Sequence, residues 1–187
     1  MKRPDSAGWL DRRWAFVAVL ALPVLLAGCF GKTSAETLTC PSGAVTPGLA
    51  VAPQFGPGPG RTRNDITAAA RMLAIKATCS EDKAGGIRID VLVSFSIVRG
   101  SPQVQNSHFT YFIAVVNGAS NILNEQRFVL PVRFPGNELF VATNDNITVH
   151  LPVKRVAAGA DYGVVGGFQL TPEQIEFNNT QQQSPTQ

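Results

Sequence analysis

The sequence predicts an all-β protein: one antiparallel β-sandwich of about six or seven strands, followed by a short C-terminal helical turn. Three observations lead there. From Ile66 onward, apolar residues recur at every second position, the period of a strand with one buried face. The alternating segments are short and divided by turn formers such as Lys83-Ala84-Gly85-Gly86, Arg99-Gly100-Ser101-Pro102 and Asn117-Gly118. The chain of 187 residues, less an export leader, is long enough for one such core and not for two.

Residues 1–28 read as that leader. Lys2, Arg3, Arg12 and Arg13 form a positive start, diluted by Asp5 and Asp11, and residues 14–26 are an apolar run interrupted by Pro23. The run falls short of the roughly 20 residues that span a bilayer and ends in small residues, as an export signal does. Removing it changes the charge: four basic and two acidic residues leave, so 12 Lys+Arg remain against 11 Asp+Glu. The sequence pI near 9.0 therefore belongs largely to the leader. With no basic run interleaved with aromatics, nucleic acid is not an expected partner.

Residues 29–60 read as a tether and an irregular lead-in. The stretch PQFGPGPG in its second half alternates proline and glycine, which argues against ladder pairing there. Cys40 and Cys79 face an oxidising compartment once exported. The alternatives are a disulfide or two buried thiols, and the disulfide is expected. A loop of this length makes such a bond worth ~3–4 kcal/mol.

Residues 61–177 read as the sandwich. Residues 65–79 admit two assignments: the alanines favour helix, while Leu73, Ile75, Ala77 and Cys79 alternate, and strand is the expectation. Next, Ile87, Ile89, Val91, Val93, Phe95 and Ile97 share one face of a strand. In the following strand Phe109, Tyr111, Ile113 and Val115 share a face while Phe112 and Val116 make the other apolar too, which predicts a central position. Phe128, Leu130, Val132 and Phe134 alternate with Arg127, Val129, Pro131 and Arg133. Pro131 cannot donate a ladder bond, so this strand is expected at an edge. Ile147, Val149, Leu151 and Val153 define another strand, and Tyr162, Val164, Phe168 and Leu170 the last. Thr171-Pro172-Glu173-Gln174 is a helix start, with Thr as N-cap and Gln three residues on. The helix is expected to end near Phe177, and residues 178–187, which lack apolar side chains, to be a disordered polar tail.

Three resemblances add to this. Leu26-Ala27-Gly28-Cys29 resembles the lipobox of bacterial lipoproteins. That implies cleavage before Cys29, a lipid on its thiol, and a membrane anchor needing no spanning helix; several acyl chains hold stably where one holds marginally. Phe30 in place of Asp after the cysteine implies the outer membrane, with the domain facing the periplasm. More broadly, Cys40-Pro41, FGPGPGR at residues 55–61, Cys79, RGSP at 99–102 and GFQLTPEQ at 167–174 come in one order that resembles a family of small alphaproteobacterial envelope lipoproteins. Its matched cysteines imply the Cys40–Cys79 pair, and no catalytic residue carries over. Gly159-Ala160-Asp161-Tyr162 resembles the tyrosine corner of immunoglobulin-like sandwiches, the sandwich type expected here. Tyr162 is otherwise an ordinary packed aromatic.

Chemistry is sparse. His150 alternates with the apolar residues of its strand and so faces solvent, and His108 is out of phase with Phe109. Neither has a ligand or carboxylate at metal spacing in sequence, so no metal is expected. No G-x-S-x-G or S-x-x-K motif occurs, and GPGPG lacks the Lys-Ser/Thr of a phosphate loop. No catalytic residue and no cofactor are expected. The functional expectation is a membrane-anchored, non-catalytic interaction module of an envelope assembly. It would meet a protein partner through a surface that includes Arg127 and Arg133. The alternative is a small-ligand or lipid binder with a pocket between the strands.

Overall fold

The computed structural model describes residues 37–118, 120–154 and 156–183. The leader, Cys29 and residues 184–187 lie outside them. Among the described residues there are eight strands: β1 (Ser42–Val45), β2 (Val51–Phe55), β3 (Ile66–Glu81), β4 (Ile87–Arg99), β5 (Asn106–Asn117), β6 (Ile122–Arg133), β7 (Phe140–Leu151) and β8 (Tyr162–Phe168). They form two four-stranded sheets, ordered β1-β8-β5-β6 and β2-β3-β4-β7. All neighbours are antiparallel except β1 and β8. This is the two-layer arrangement of an all-β sandwich, in which β2, β3 and β4 run as a meander within one sheet.

The core follows the predicted alternation. Ile87, Ile89, Val91, Val93, Phe95 and Ile97 of β4 are all buried, as are Phe109, Tyr111, Ile113 and Val115 of β5. Phe95 packs edge-on to Tyr111 at 5.0 Å and tilted against Phe168 at 5.9 Å, joining the two sheets at mid-height. Fully burying a side chain of this size contributes about 1.5–3 kcal/mol. β5 is internal and β6 lies at an edge, as Phe112 and Pro131 respectively predict. Residues 66–81 are strand throughout, so the alternating set wins over the helical preference of the alanines. The reason is tertiary: Ala68 and Ala70 are completely buried, a contribution that local propensity does not register.

The N-terminal boundary differs from the expectation. The sandwich begins at Ser42, not at residue 61, because the lead-in supplies β1 and β2 and brings the strand count to eight. Pro53 sits within β2, opposite Ala69. Its ring is tolerated because Met72 donates its N–H to Ala50 O, which makes residues 50, 52 and 54 the bonding partners of β3. The backbone of Val51, Pro53 and Phe55 then points away from the sheet, where a missing donor costs nothing. Cys40, just before β1, is bonded to Cys79 in β3, with Cα atoms 5.7 Å apart. That bond pins the entry of β1 against the opposite sheet. Gly43 permits the approach, since a Cβ there would lie 2.4 Å from Ile75 O.

The C-terminal helix α1 (Pro172–Gln183) also departs from expectation, running past Phe177 into the polar stretch. Its start is the predicted capping box: Gln174 N–H donates to Thr171 Oγ1 at 3.3 Å, and Thr171 N–H donates to Gln174 Oε1 at 2.8 Å. The extension is held by side-chain amides. Gln174 Nε2 donates to Pro53 O at 2.5 Å, and Asn178 Nδ2 donates to Val51 O at 2.8 Å. Gln181 accepts from Arg63 Nε, and Phe177 meets Phe55 edge-on at 5.3 Å. Residues 174, 178 and 181 lie on one helix face, which is why an apolar stripe is not needed.

Replacing Val93, which has no exposed surface, with Asp is expected to destabilise the domain by several kcal/mol. Lys76→Ser, on the exposed face of β3, is expected to stay within about 0.5 kcal/mol. Denaturant midpoints of the two variants against wild type check the register.

Candidate interaction surface

Two open sheets have four edges, and unpaired edge backbone is a template for another strand. The β2 edge is covered by α1, whose amides take the outward carbonyls of Val51 and Pro53. The β1 edge is four residues long. β7 and β6, at twelve residues each, are the long ones.

β7 is blunted at its centre. Arg99 N–H donates to Leu139 O at 2.8 Å, so in this register the odd residues of β7 bond β4 and the even ones point outward. Asp145, in the inward phase with Ile147, accepts the outward N–H of Asn146 on Oδ1 at 2.8 Å. Its Oδ2 accepts the hydroxyl of Tyr111, across the sandwich, at 2.6 Å. An inward charge on an edge strand discourages a further strand. Burial pushes the Tyr111 phenol well above its ordinary value, and the bond to the Asp145 carboxylate and that carboxylate's charge add to the shift.

β6 carries such devices at its two ends, a one-residue bulge at Leu123 and Pro131, and none between them. Phe134 donates its N–H to Gln105 O at 2.9 Å, so the even residues of β6 bond β5. The backbones of Glu125, Arg127, Val129, Pro131 and Arg133 therefore face outward, and Pro131 removes one donor near the end. The side chains of the same residues lie on the outer sheet face. Arg127 Nε is 3.0 Å from Glu125 Oε1, an exposed pair worth about 0–1 kcal/mol. Arg133 is opposite Asn106, and Pro131 opposite His108. Ile122, Leu123 and Val129 are large apolar side chains left more than half exposed. Arg127 and Arg133, the predicted surface residues, thus share one exposed face of one edge strand, with Val129 and Pro131 between them.

A further polar cluster lies on the outer face of the other sheet. His150 Nδ1 is 2.6 Å from Asp82 Oδ2, linking β7 to the β3–β4 turn. The Asp82 carboxyl lies below its ordinary value, chiefly through the amide of Ala84 and then through the bond with His150. Beside them Asp90 accepts from Thr148 Oγ1 at 2.8 Å and from Arg88 Nε at 3.3 Å, and both bonds hold its carboxyl down, the Thr148 bond foremost. A His–Asp pair needs a nucleophile beside the imidazole to act as a catalytic dyad. Ser80, the hydroxyl in register with His150, is separated from it by Arg88, two strand spacings or roughly 10 Å away. Among the described residues no three His, Cys, Asp or Glu side chains gather to hold a metal ion. A cleft of about 540 Å³ lies under α1, with Arg63, Arg71 and Phe177 in its walls; it is outside the sandwich.

The chain matches no family model, no curated protein and no solved structure.

Asp145 and the Asp82–His150 pair are absent from the sequence expectations. Asp145 left a signal: a carboxylate in phase with Ile147, Val149 and Leu151 on a strand. The second pair left none, since its members are joined only by the fold.

Tyr111→Phe is expected to cost about 1–3 kcal/mol at neutral pH, because it leaves the Asp145 carboxylate short of a donor. The raised Tyr111 value also fixes a sign. Its stabilisation is complete below the ordinary tyrosine value of 10.0 and is lost as pH rises beyond it, when the unfolded chain ionises first. Stability measured from pH 8 to 11 is expected to fall less steeply in Tyr111→Phe than in wild type. Asn178→Leu, which removes the bond to Val51 O, is expected to lower stability by about 1 kcal/mol and to loosen α1, as helical circular dichroism and denaturant midpoint will report.

Proposed function

We propose that the protein is a non-catalytic interaction module of a bacterial envelope, anchored through a lipid on Cys29 with its sandwich facing the periplasm, and that it meets protein partners along β6. The observation that carries this is the state of the four edges. One is covered, one is short, one is blunted at mid-strand, and β6 keeps its outward backbone from Glu125 to Val129 unhindered. Addition of a strand to such an edge is a common mode of protein recognition, with backbone bonds supplying affinity and alternate side chains specificity. Arg127, Val129 and Arg133 are those side chains here. The lipobox resemblance of Leu26-Ala27-Gly28-Cys29 supports the anchor. The filling of the interior by Tyr111, Phe95 and Phe168 favours a surface over a pocket between the strands.

The test is affinity capture of the tagged protein from solubilised membranes. Wild type is expected to retain a protein partner, and Arg127→Glu with Arg133→Glu to lose most of it while remaining folded. His150→Ala is expected to retain it in full, and Cys29→Ser to leave the membrane fraction. Loss of function in His150→Ala at unchanged stability would instead point to chemistry at the Asp82–His150 pair.

A further inference from the structure

The open stretch of β6 is complementary to itself. We propose that its partner is β6 of a second copy of this chain, paired antiparallel about a two-fold axis at Gln126; this rests on the β6 reading above and names its occupant.

The choice of axis follows from the residues that face outward. Between Asn124 and Arg133 only registers that oppose two odd residues let the outward N–H and C=O groups meet, because the even residues there already bond β5. With the axis at Gln126, Glu125 faces Arg127 of the second copy and Arg127 faces its Glu125. The existing Glu125–Arg127 contact at 3.0 Å thereby grows into a four-charge cluster of alternating sign. Val129 falls beside Leu123 of the second copy, covering two side chains that are 60% and 52% exposed in the single chain. Pro131 lies past this stretch, where the bulge at Leu123 of the second copy has already ended the ladder, so its missing donor interrupts nothing.

Neighbouring registers are worse for nameable reasons. An axis at Arg127 sets two guanidinium groups directly opposite each other, which destabilises a strand pair. An axis at Phe128 places Pro131 against Glu125, and one at Val129 places it against Arg127. Either drops a backbone bond from each copy in the middle of the ladder. The favoured register joins the two sheets into one continuous sheet of order β1-β8-β5-β6-β6-β5-β8-β1. The contact is isologous and so closes as a dimer. On the other sheet Asp145 takes an outward amide at the middle of β7 and α1 takes the outward carbonyls of β2.

Gln126 at the axis provides the test. Directly opposed residues of a non-hydrogen-bonded antiparallel pair have Cα atoms roughly 4.5 Å apart, within disulfide reach. The full chain bearing Gln126→Cys, oxidised in its own membranes and run without reductant, is expected to form a dimer that the parent chain does not form. Val129→Cys is expected to form little. Adding Arg127→Glu to Gln126→Cys is expected to abolish most of the dimer by facing Glu against Glu. Adding Glu125→Arg as well is expected to restore it, an outcome that a merely structural role for these side chains does not give. A strong Val129→Cys dimer with none at Gln126 overturns the register. A Gln126→Cys product joined to a different protein overturns the self-pairing while leaving the β6 reading in place. No crosslinked product at either position, in a folded protein, overturns the proposed pairing about Gln126, and the β6 reading then stands or falls with the affinity capture of the Arg127→Glu, Arg133→Glu variant.

Discussion

Two open sheets of four strands leave four rows of backbone amides and carbonyls without a ladder partner. How the chain disposes of those rows governs much of its construction. Both prolines within strands sit where the rows point outward: Pro53 on β2 and Pro131 on β6. The C-terminal helix is fixed by the outward carbonyls of β2, and its two anchoring amides, Gln174 and Asn178, are one helical turn apart as those carbonyls are two strand residues apart. Gln174 serves twice, closing the capping box with its oxygen and the sheet edge with its nitrogen. Removing the edge requirement would leave α1 with little to hold it.

The buried alternation of the strands, densest in β4 and β5, is the chief source of stabilising free energy, since apolar burial contributes more per residue than a typical polar contact. Polar contacts decide shape instead. The Tyr111–Asp145 bond ties the internal strand of one sheet to the edge strand of the other and keeps a carboxylate facing inward on β7. On the opposite side of the sandwich the Cys40–Cys79 bond and the close crossing of Gly43 over Ile75 hold β1 against β3. The sandwich is thus fastened at both sides, and the middle of β6 keeps its outward backbone free of any such fastening.

The legible part of this fold was the part written in hydropathy. β4 and β5 follow the period-two pattern almost residue for residue, as do the second halves of β6 and β7. The first halves of those two, residues 122–126 and 140–145, bury no apolar face and were not expected as strand. Pro131 marks an edge because a missing donor has few places to go. β1 and β2 were not legible, because glycine and proline forbid a ladder only if the affected group faces a neighbour, and facing is a property of register. The helix start was readable in Thr171 and Gln174, whereas its continuation through Asn178 and Gln181 depends on acceptors and donors more than a hundred residues away. The candidate surface was half legible. Arg127 and Arg133 alternate outward in sequence, but the openness of β6 follows only from what closes the other three edges.

Residue-resolved amide hydrogen exchange of the protein held monomeric by dilution tests the openness of β6 most directly. The amides of Arg127, Val129 and Arg133 are expected to exchange nearly unprotected, while Asn146, equally outward on β7, exchanges slowly because its N–H is taken by Asp145. Slow exchange at Arg127 and Val129 in the isolated monomer, or Asn146 exchanging as fast as they do, would contradict the account.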